Sequence, residues 1–215
     1  MKSIVGFGAG GHARVLIDII ELGGLFRLTA LVDPGRVGER VKGLEVEPND
    51  DLLALKARGI TSAFIAVGGA GDNKPRRTLF DKVSGAGFHI PVLAHPSAVI
   101  ARDVNRPQGL YVMANAVLNP GVTVGDDVIV NTGAVVDHDC IIASHVHVAT
   151  GARLTGSVRV GEGAHIGAGA VVRQGISIGA WSIIGAGAVV VTDVLDGETV
   201  IGVPARPMRE RKSND

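Results

Sequence analysis

The chain has 215 residues, with 21 acidic and 21 basic side chains and a formal net charge of zero. Hydrophobic residues make up 46% of it, only seven residues are aromatic, and its 31 glycines are about twice the usual share of about 7%. This composition excludes a disordered chain and argues against partners such as nucleic acid or a membrane, which an overall charge would attract. The single cysteine, Cys140, excludes an internal disulfide framework, and the lack of a leader or of a long apolar run predicts a cytoplasmic protein.

The first 95 residues alternate short apolar runs with amphipathic stretches of helical period. This alternation predicts a small, Rossmann-like α/β domain over residues 1–95, in which helices cover a parallel sheet. The predicted strands are Ser3–Phe7, Leu28–Val32 and Ala63–Val67, with a last short strand in Ile90–Pro96. The predicted helices are Ala13–Leu22, Asp50–Arg58 and Arg76–Ser84.

A glycine-rich loop, Gly6–Gly11, connects the first predicted strand to the first helix with the pattern G-x-G-x-x-G, and Asp33 ends the next strand. Alone, this pattern indicates a dinucleotide-binding dehydrogenase, but a domain of 95 residues is too short for that whole fold. The narrower expectation is a phosphate held by backbone amides at the helix N-terminus. Asp72–Lys74 and Arg76 form a second candidate nucleotide contact, or simply a polar helix start capped by an aspartate.

From about residue 100 the helical period gives way to a period of six. Every sixth residue from Val112 to Val190 is Val, Ile or Leu, and the residue four places after each is small or apolar except for Ser182. Such hexads predict a parallel β-helix over residues 96–215, in which three hexads complete one coil of eighteen residues.

Thirteen glycines fall between residues 112 and 195, and twelve of them occupy two fixed places in the hexad that suit tight corners. Gly156 does not fit this pattern. One coil earlier is His138, which should therefore lie about 4.8 Å away on the same edge. His138 stands between Asp137 and Asp139. A carboxylate that accepts a hydrogen bond from one imidazole nitrogen makes the other nitrogen a better general base. A glycine on the next coil can donate its backbone N–H to an oxyanion. The alternative is a solvated corner histidine.

His147 and His165 are also eighteen residues apart and should stack. No third ligand stands at the same phase, so we expect no metal site. A substrate contact suits His147, and a structural role suits His165. Cys140 falls on the inward column and is expected in the core.

The run NTGAVVDHD at residues 131–139, HVATGA at 147–152 and GVPAR at 202–206 resemble the bacterial nucleotide-amino-sugar acetyltransferases of the sialic-acid O-acyltransferase type. The resemblance extends over nearly the whole chain. It implies a left-handed β-helix and a homotrimer with acetyl-CoA between neighbouring subunits. It also implies N-acetylation of a nucleotide-linked 4-amino-4,6-dideoxysugar, such as GDP-perosamine or a UDP-linked amino sugar. O-acetylation of a sialic-acid-like sugar is the alternative.

The same resemblance assigns roles to single residues. His138 is implied as the general base, Asp139 as its orienting carboxylate and Gly156 as the donor to the thioester oxygen. The residues implied in substrate binding are Gly8, Gly10, Gly11, His12, Asp33 and Asn131. Those expected to contact acetyl-CoA are His147, Gly156, Ala168 and Ala186. Trp181 could pad an adenine or cap a coil, and the basic tail (Arg206, Arg209, Arg211 and Lys212) could meet phosphates. Pro34 follows Asp33, where many relatives carry a polar residue, so the choice between UDP and GDP stays open.

Overall fold

The computed structural model describes residues 1–48, 51–69 and 71–208, and its core falls into two clusters. The predicted helix start at Asp50 and the tail residues Arg209, Arg211 and Lys212 lie outside the described residues.

The N-terminal unit has a five-stranded sheet in the order β3-β4-β2-β1-β5, parallel except for the β3–β4 hairpin. Its strands are β1 Lys2–Phe7, β2 Phe26–Val32, β3 Arg40–Val41, β4 Leu44–Glu47 and β5 Ser62–Ile65. Its helices are α1 Gly11–Gly23, α2 Leu52–Ala57 and α3 Lys74–Gly85. The predicted strands and helices of this unit are therefore present with small shifts of their ends, and the hairpin was not predicted.

The remaining strands are short and form three faces of a parallel β-helix. Face A contains β6 Leu93–Ala94, β8 Tyr111–Val112, β11 Ile129–Val130, β14 His147–Val148, β17 His165–Ile166, β20 Ile183–Ile184, β22 Thr199–Ile201 and the antiparallel β23 Arg206–Pro207. Face B contains β7 Val99–Ile100, β9 Val117–Leu118, β12 Val135–Val136, β15 Arg153–Leu154, β18 Val171–Val172 and β21 Val189–Val190. Face C contains β10 Thr123–Val124, β13 Ile141–Ile142, β16 Arg159–Val160 and β19 Ser177–Ile178.

The register confirms the eighteen-residue coil, because Ile129 pairs with His147 and His147 pairs with His165. Both predicted inward columns are buried, with no member more than 5% exposed, and Cys140 and Ser182 lie among them. Val, Ile and Leu fill the interior of these narrow coils, which explains why so few aromatic residues are needed.

Face A is covered by the N-terminal unit. Tyr111, Met113 and Ile129 of the β-helix belong to the core cluster of that unit, and the Tyr111 hydroxyl accepts a hydrogen bond of 2.8 Å from the Ile65 N–H. Leu93–Ala94, within the last strand predicted before the boundary, pairs with β8 of the β-helix and not with the N-terminal sheet. The boundary between residues 95 and 96 stays a prediction.

Glycine serves the corners of the coils in two ways. Some corner glycines, such as Gly133 with φ 66°, have a positive φ, which residues with a side chain disfavour. Gly161 represents close approach, because a Cβ there would lie 2.5 Å from the backbone nitrogen of Ala180 in the next coil.

Candidate active site

The corner between β12 and β13 presents a histidine to solvent. The His138 side chain is 51% exposed, and its Nδ1 lies 2.8 Å from Oδ2 of Asp139. Asp139 occupies the left-handed corner position with φ 60°, which aspartate tolerates better than most residues. Because a carboxylate only accepts, Nδ1 carries the proton in the neutral ring and Nε2 is left with its lone pair.

The two flanking aspartates have different contacts. Oδ1 of Asp137 accepts 2.8 Å from the His138 backbone N–H and 2.7 Å from Nδ2 of Asn119, and these bonds lower the pKa of Asp137. The hydrogen bond to Asp139, with smaller electrostatic contributions from both aspartates, raises the pKa of His138 above its usual 6.5. Asp139 is thus the carboxylate that contacts the ring.

Gly156 lies against the other side of this imidazole. A Cβ at Gly156 would be 2.5 Å from Nε2 of His138 and 2.6 Å from Cε1, so no larger residue fits beside the ring as it stands. Among the described residues, no acceptor takes the Gly156 N–H. The glycine that the hexad pattern does not explain therefore has a physical reason in His138.

A second polar group lies on face A. The neutral His147 ring has its proton on Nδ1, because that atom lies 3.0 Å from the Gly69 carbonyl oxygen, which only accepts. Its Nε2 then accepts from Nδ2 of Asn131 at 3.1 Å, and Oδ1 of Asn131 accepts from the Thr132 N–H. Burial, followed by the nearby His165 and Arg76, lowers the pKa of His147 to about 3. His147 is therefore neutral, with both ring nitrogens engaged.

Beside His147 is a groove of about 430 Å³, here called the interdomain groove. It runs between the loop after β5 and the β-helix, and its walls include Gly69, Gly71, His147, His165, Ala168 and Ala186. Three residues predicted to contact acetyl-CoA (His147, Ala168 and Ala186) thus line one space, whereas Gly156 lies with His138 at another corner.

The first glycine-rich loop is held by Asp33. One carboxylate oxygen of Asp33 accepts 2.9 Å from the Ala9 N–H and the other accepts 3.0 Å from the Gly35 N–H. Gly8 has φ 105°, and a Cβ there would lie 2.9 Å from the Ala66 backbone. Asp33 therefore holds the loop, and its contact with the substrate stays a prediction.

The N-terminus of α1 follows this loop. Gly10 is its N-cap and Gly11 its first residue, and a Cβ would meet nothing within 4 Å at either position. His12 is half-buried with its Nε2 unpartnered, and burial, with a smaller effect of Arg76, lowers its pKa to about 4.

The second candidate nucleotide contact has a different place in the structure. Asn73 is buried and its Nδ2 donates to the carbonyl oxygens of Gly163 and Ala164, at 3.0 and 3.2 Å. Arg76 is fully buried, where it pairs with Asp127 at 3.1 Å and donates to the His145 carbonyl oxygen at 2.6 Å. The proposed nucleotide role is thus wrong for Asn73 and Arg76, which fasten α3 to the β-helix. Asp72 accepts from the Lys74 N–H, although the N-cap residue of α3 is Asn73 and not the expected aspartate.

Sequence reasoning missed this contact between the two units, although one signal was available. The outward residues of face A, from Tyr111 to Ile183 at steps of eighteen, include two isoleucines and two histidines, and such a row must be covered by another part of the protein.

Trp181 packs over Gly163, and the Arg77 guanidinium lies 5.5 Å from the centre of the Trp181 ring, so this ring caps a corner of the β-helix. The described residues contain no cluster of three or more metal-ligating side chains and no helix long and apolar enough to span a membrane.

Three family models match parts of the chain: the PglD N-terminal domain over residues 3–83, the hexapeptide repeat of succinyl-transferase over 114–138, and the bacterial transferase hexapeptide (six repeats) over 157–192. The chain is similar to PerB from Caulobacter crescentus in complex with CoA and GDP-perosamine, with 40% identity over 97% of this chain and 98% of that one, and a TM-score of 0.91. It is similar to the acetyltransferase domain of PglB from Neisseria gonorrhoeae in complex with acetyl coenzyme A, with 38% identity over 96% and 99% of the chains, and a TM-score of 0.87. WeeI from Acinetobacter baumannii is 25% identical over 97% and 100% of the chains, with a TM-score of 0.75.

Proposed function

Because the chain belongs to the nucleotide-amino-sugar N-acetyltransferases of the hexapeptide family, which join a Rossmann-like domain to a left-handed parallel β-helix, we propose that it N-acetylates a nucleotide-linked 4-amino-4,6-dideoxysugar with acetyl-CoA. The observation that carries this proposal is the imidazole of His138, oriented by Asp139 and seated against Gly156. The protein is an acyltransferase, and the identity of its amino-sugar acceptor is what we propose.

Asp139 orients the ring, and the other two residues act on the reacting groups. As the amine nitrogen bonds to the thioester carbonyl carbon, Nε2 of His138 accepts the amine's proton, and its raised pKa suits this. The negative charge that develops on the carbonyl oxygen is stabilised by the free Gly156 N–H. The C–S bond then breaks, and the proton on Nε2 passes to the leaving thiolate.

The interdomain groove fits the acyl donor, since it is open and lined by small residues such as Ala168 and Ala186. The amides of Gly10 and Gly11 at the start of α1 suit the diphosphate of the sugar nucleotide, with His12 beside them. Asn131 bonds to His147, so we propose that it orients that ring at the wall of the groove.

His138 and the groove lie at different corners of one chain, which supports an active site shared between two subunits. The outward residues of face B are five valines and one arginine. Within the described part of the chain, each of them stays partly or well exposed. Such an apolar face suits burial against a second copy, as in a homotrimer. We place this trimer in the cytoplasm, where nucleotide sugars and acetyl-CoA are available.

The test is a panel of GDP-, UDP- and dTDP-linked 4-amino sugars with acetyl-CoA, followed by thiol release. The relation to PerB favours the GDP-linked sugar. A hydroxy analogue of the best substrate separates O-acetylation from N-acetylation. No thiol release with any amino sugar would refute the proposed function.

His138→Asn tests the mechanism on the same assay. We expect kcat to fall by a factor on the order of 10²–10⁴ with the assembly intact. The exposed His89, which bridges to Ser62 of β5 in the N-terminal sheet, gives the matched control His89→Asn with unchanged kcat. Near-normal turnover by His138→Asn would contradict the general-base assignment.

A further inference from the structure

His165 is a buried residue of the interdomain groove to which the proposed reaction gives no role. It points outward from face A in β17, directly above His147 in the register of the sheet, and it is 9% exposed. The two imidazoles meet edge to face with 5.0 Å between ring centroids. The His165 ring thus packs against His147.

The two nitrogens of His165 are in different surroundings. Nδ1 is buried and has no hydrogen-bond partner, whereas Nε2 is not buried without a partner, and His165 is one of the residues that line the groove. A buried N–H without an acceptor is rarer and more costly than an unused lone pair. The proton of the neutral ring therefore belongs on Nε2, which makes His165 a hydrogen-bond donor toward the groove.

The charge state of His165 follows from its neighbours. Burial and the nearby Arg76 guanidinium both lower its pKa, so the ring is neutral at physiological pH. Arg76, the charged group that acts on the ring, is itself paired with Asp127 at 3.1 Å. The described residues that line the groove are glycine, alanine, isoleucine and neutral histidine. These walls favour an uncharged ligand chain over a diphosphate.

We propose that His165 recognises the acyl donor, donating its Nε2–H to a carbonyl oxygen of the uncharged thioester-and-amide arm of acetyl-CoA. This inference rests on the proposed function and assigns the arm to the interdomain groove. A carbonyl oxygen suits this contact because it accepts and Nε2–H can only donate. His165 is thus a binding residue, in addition to His138 and Gly156 at the other corner.

The test compares His165→Phe, which keeps a ring against His147, with His165→Gln, which restores a side-chain N–H donor. One neutral hydrogen bond predicts a two- to tenfold weaker Kd for acetyl-CoA in His165→Phe, measured by calorimetry without acceptor, and recovery in His165→Gln. The KM for acetyl-CoA should rise by the same factor while the KM for the sugar nucleotide stays unchanged. His89→Phe is the matched exposed control.

Free CoA identifies the carbonyl that is bound. If His165→Phe weakens CoA and acetyl-CoA alike, the partner is an amide oxygen of the arm, and if it weakens acetyl-CoA alone, the partner is the acetyl oxygen. Equal Kd values for wild type and His165→Phe with both ligands would overturn the inference. Wild-type protein that binds neither ligand would instead refute the proposed function, so the two failures are distinguishable.

Discussion

Replacement of Gly156 by alanine should lower activity strongly while leaving the fold intact. A Cβ would lie 2.5 Å from Nε2 of His138, and an ordinary contact needs at least 3.4 Å, so the ring must retreat by about 0.9 Å. The 2.8 Å hydrogen bond from Nδ1 to Asp139 cannot follow that movement at its present length. Misplacement of a reacting group by about 1 Å costs on the order of 10² in rate, which corresponds to about 2.7 kcal/mol in the barrier.

Stability should change little in Gly156→Ala, because the imidazole is half exposed and can swing into solvent. We therefore expect a Tm within a few degrees of wild type and kcat lower by a factor on the order of 10². The assays are thiol release with the best amino-sugar substrate and thermal unfolding followed by circular dichroism.

Two other glycines provide controls for the same substitution. A Cβ added to Gly85, at the end of α3, would meet nothing within 4 Å, so Gly85→Ala should be active and about as stable as wild type. Gly161→Ala should lose stability by about 1–3 kcal/mol, because its Cβ would meet the Ala180 backbone. Wild-type kcat in folded Gly156→Ala, or a loss of stability as large as in Gly161→Ala, would refute this reasoning.

Two further predictions concern protons. Asp139→Asn keeps a residue that tolerates the left-handed corner but removes the charge that raises the pKa of His138, so the acidic limb of the kcat/KM profile should move to lower pH. Asp137→Asn should move it less, and an unmoved limb in Asp139→Asn would contradict the assignment. Separately, burial holds the pKa values of His12 and His147 at about 4 and 3, so the unfolded chain takes up protons below pH 6.5 that the folded chain does not. The unfolding free energy should therefore fall from pH 6 to pH 5 by on the order of 2–3 kcal/mol. Chemical denaturation at the two pH values measures it, and a pH-independent value would show that these rings are not held neutral.

Sequence periodicity predicted most of the fold because each coil repeats the same packing problem. Val112 and its successors every six residues must fill a narrow interior, and no insertion disturbs that register. The β3–β4 hairpin was missed because its strands have only two and four residues. Local patterns that short are indistinguishable from loops until tertiary contacts select them.

The arrangement of the candidate site could be predicted where it depends on the repeat of the coil, but not where it depends on the packing of one unit against the other. The distance of eighteen residues places Gly156 against His138 from the sequence alone. Arg76 and Asp127, by contrast, are 51 residues apart and meet only because one unit packs on the other. No local pattern encodes that pairing, so a buried arginine was interpreted as a surface residue that contacts nucleotide.

Because the chain has so few aromatic residues, the contact between its two units can be followed by spectroscopy. The sequence contains one tryptophan and one tyrosine. Trp181 lies beneath Arg77 of α3, and Tyr111 bonds to the Ile65 N–H of the N-terminal sheet. Both chromophores therefore sit at the junction, where intrinsic fluorescence and near-ultraviolet circular dichroism would report separation of the units with little background from elsewhere in the protein.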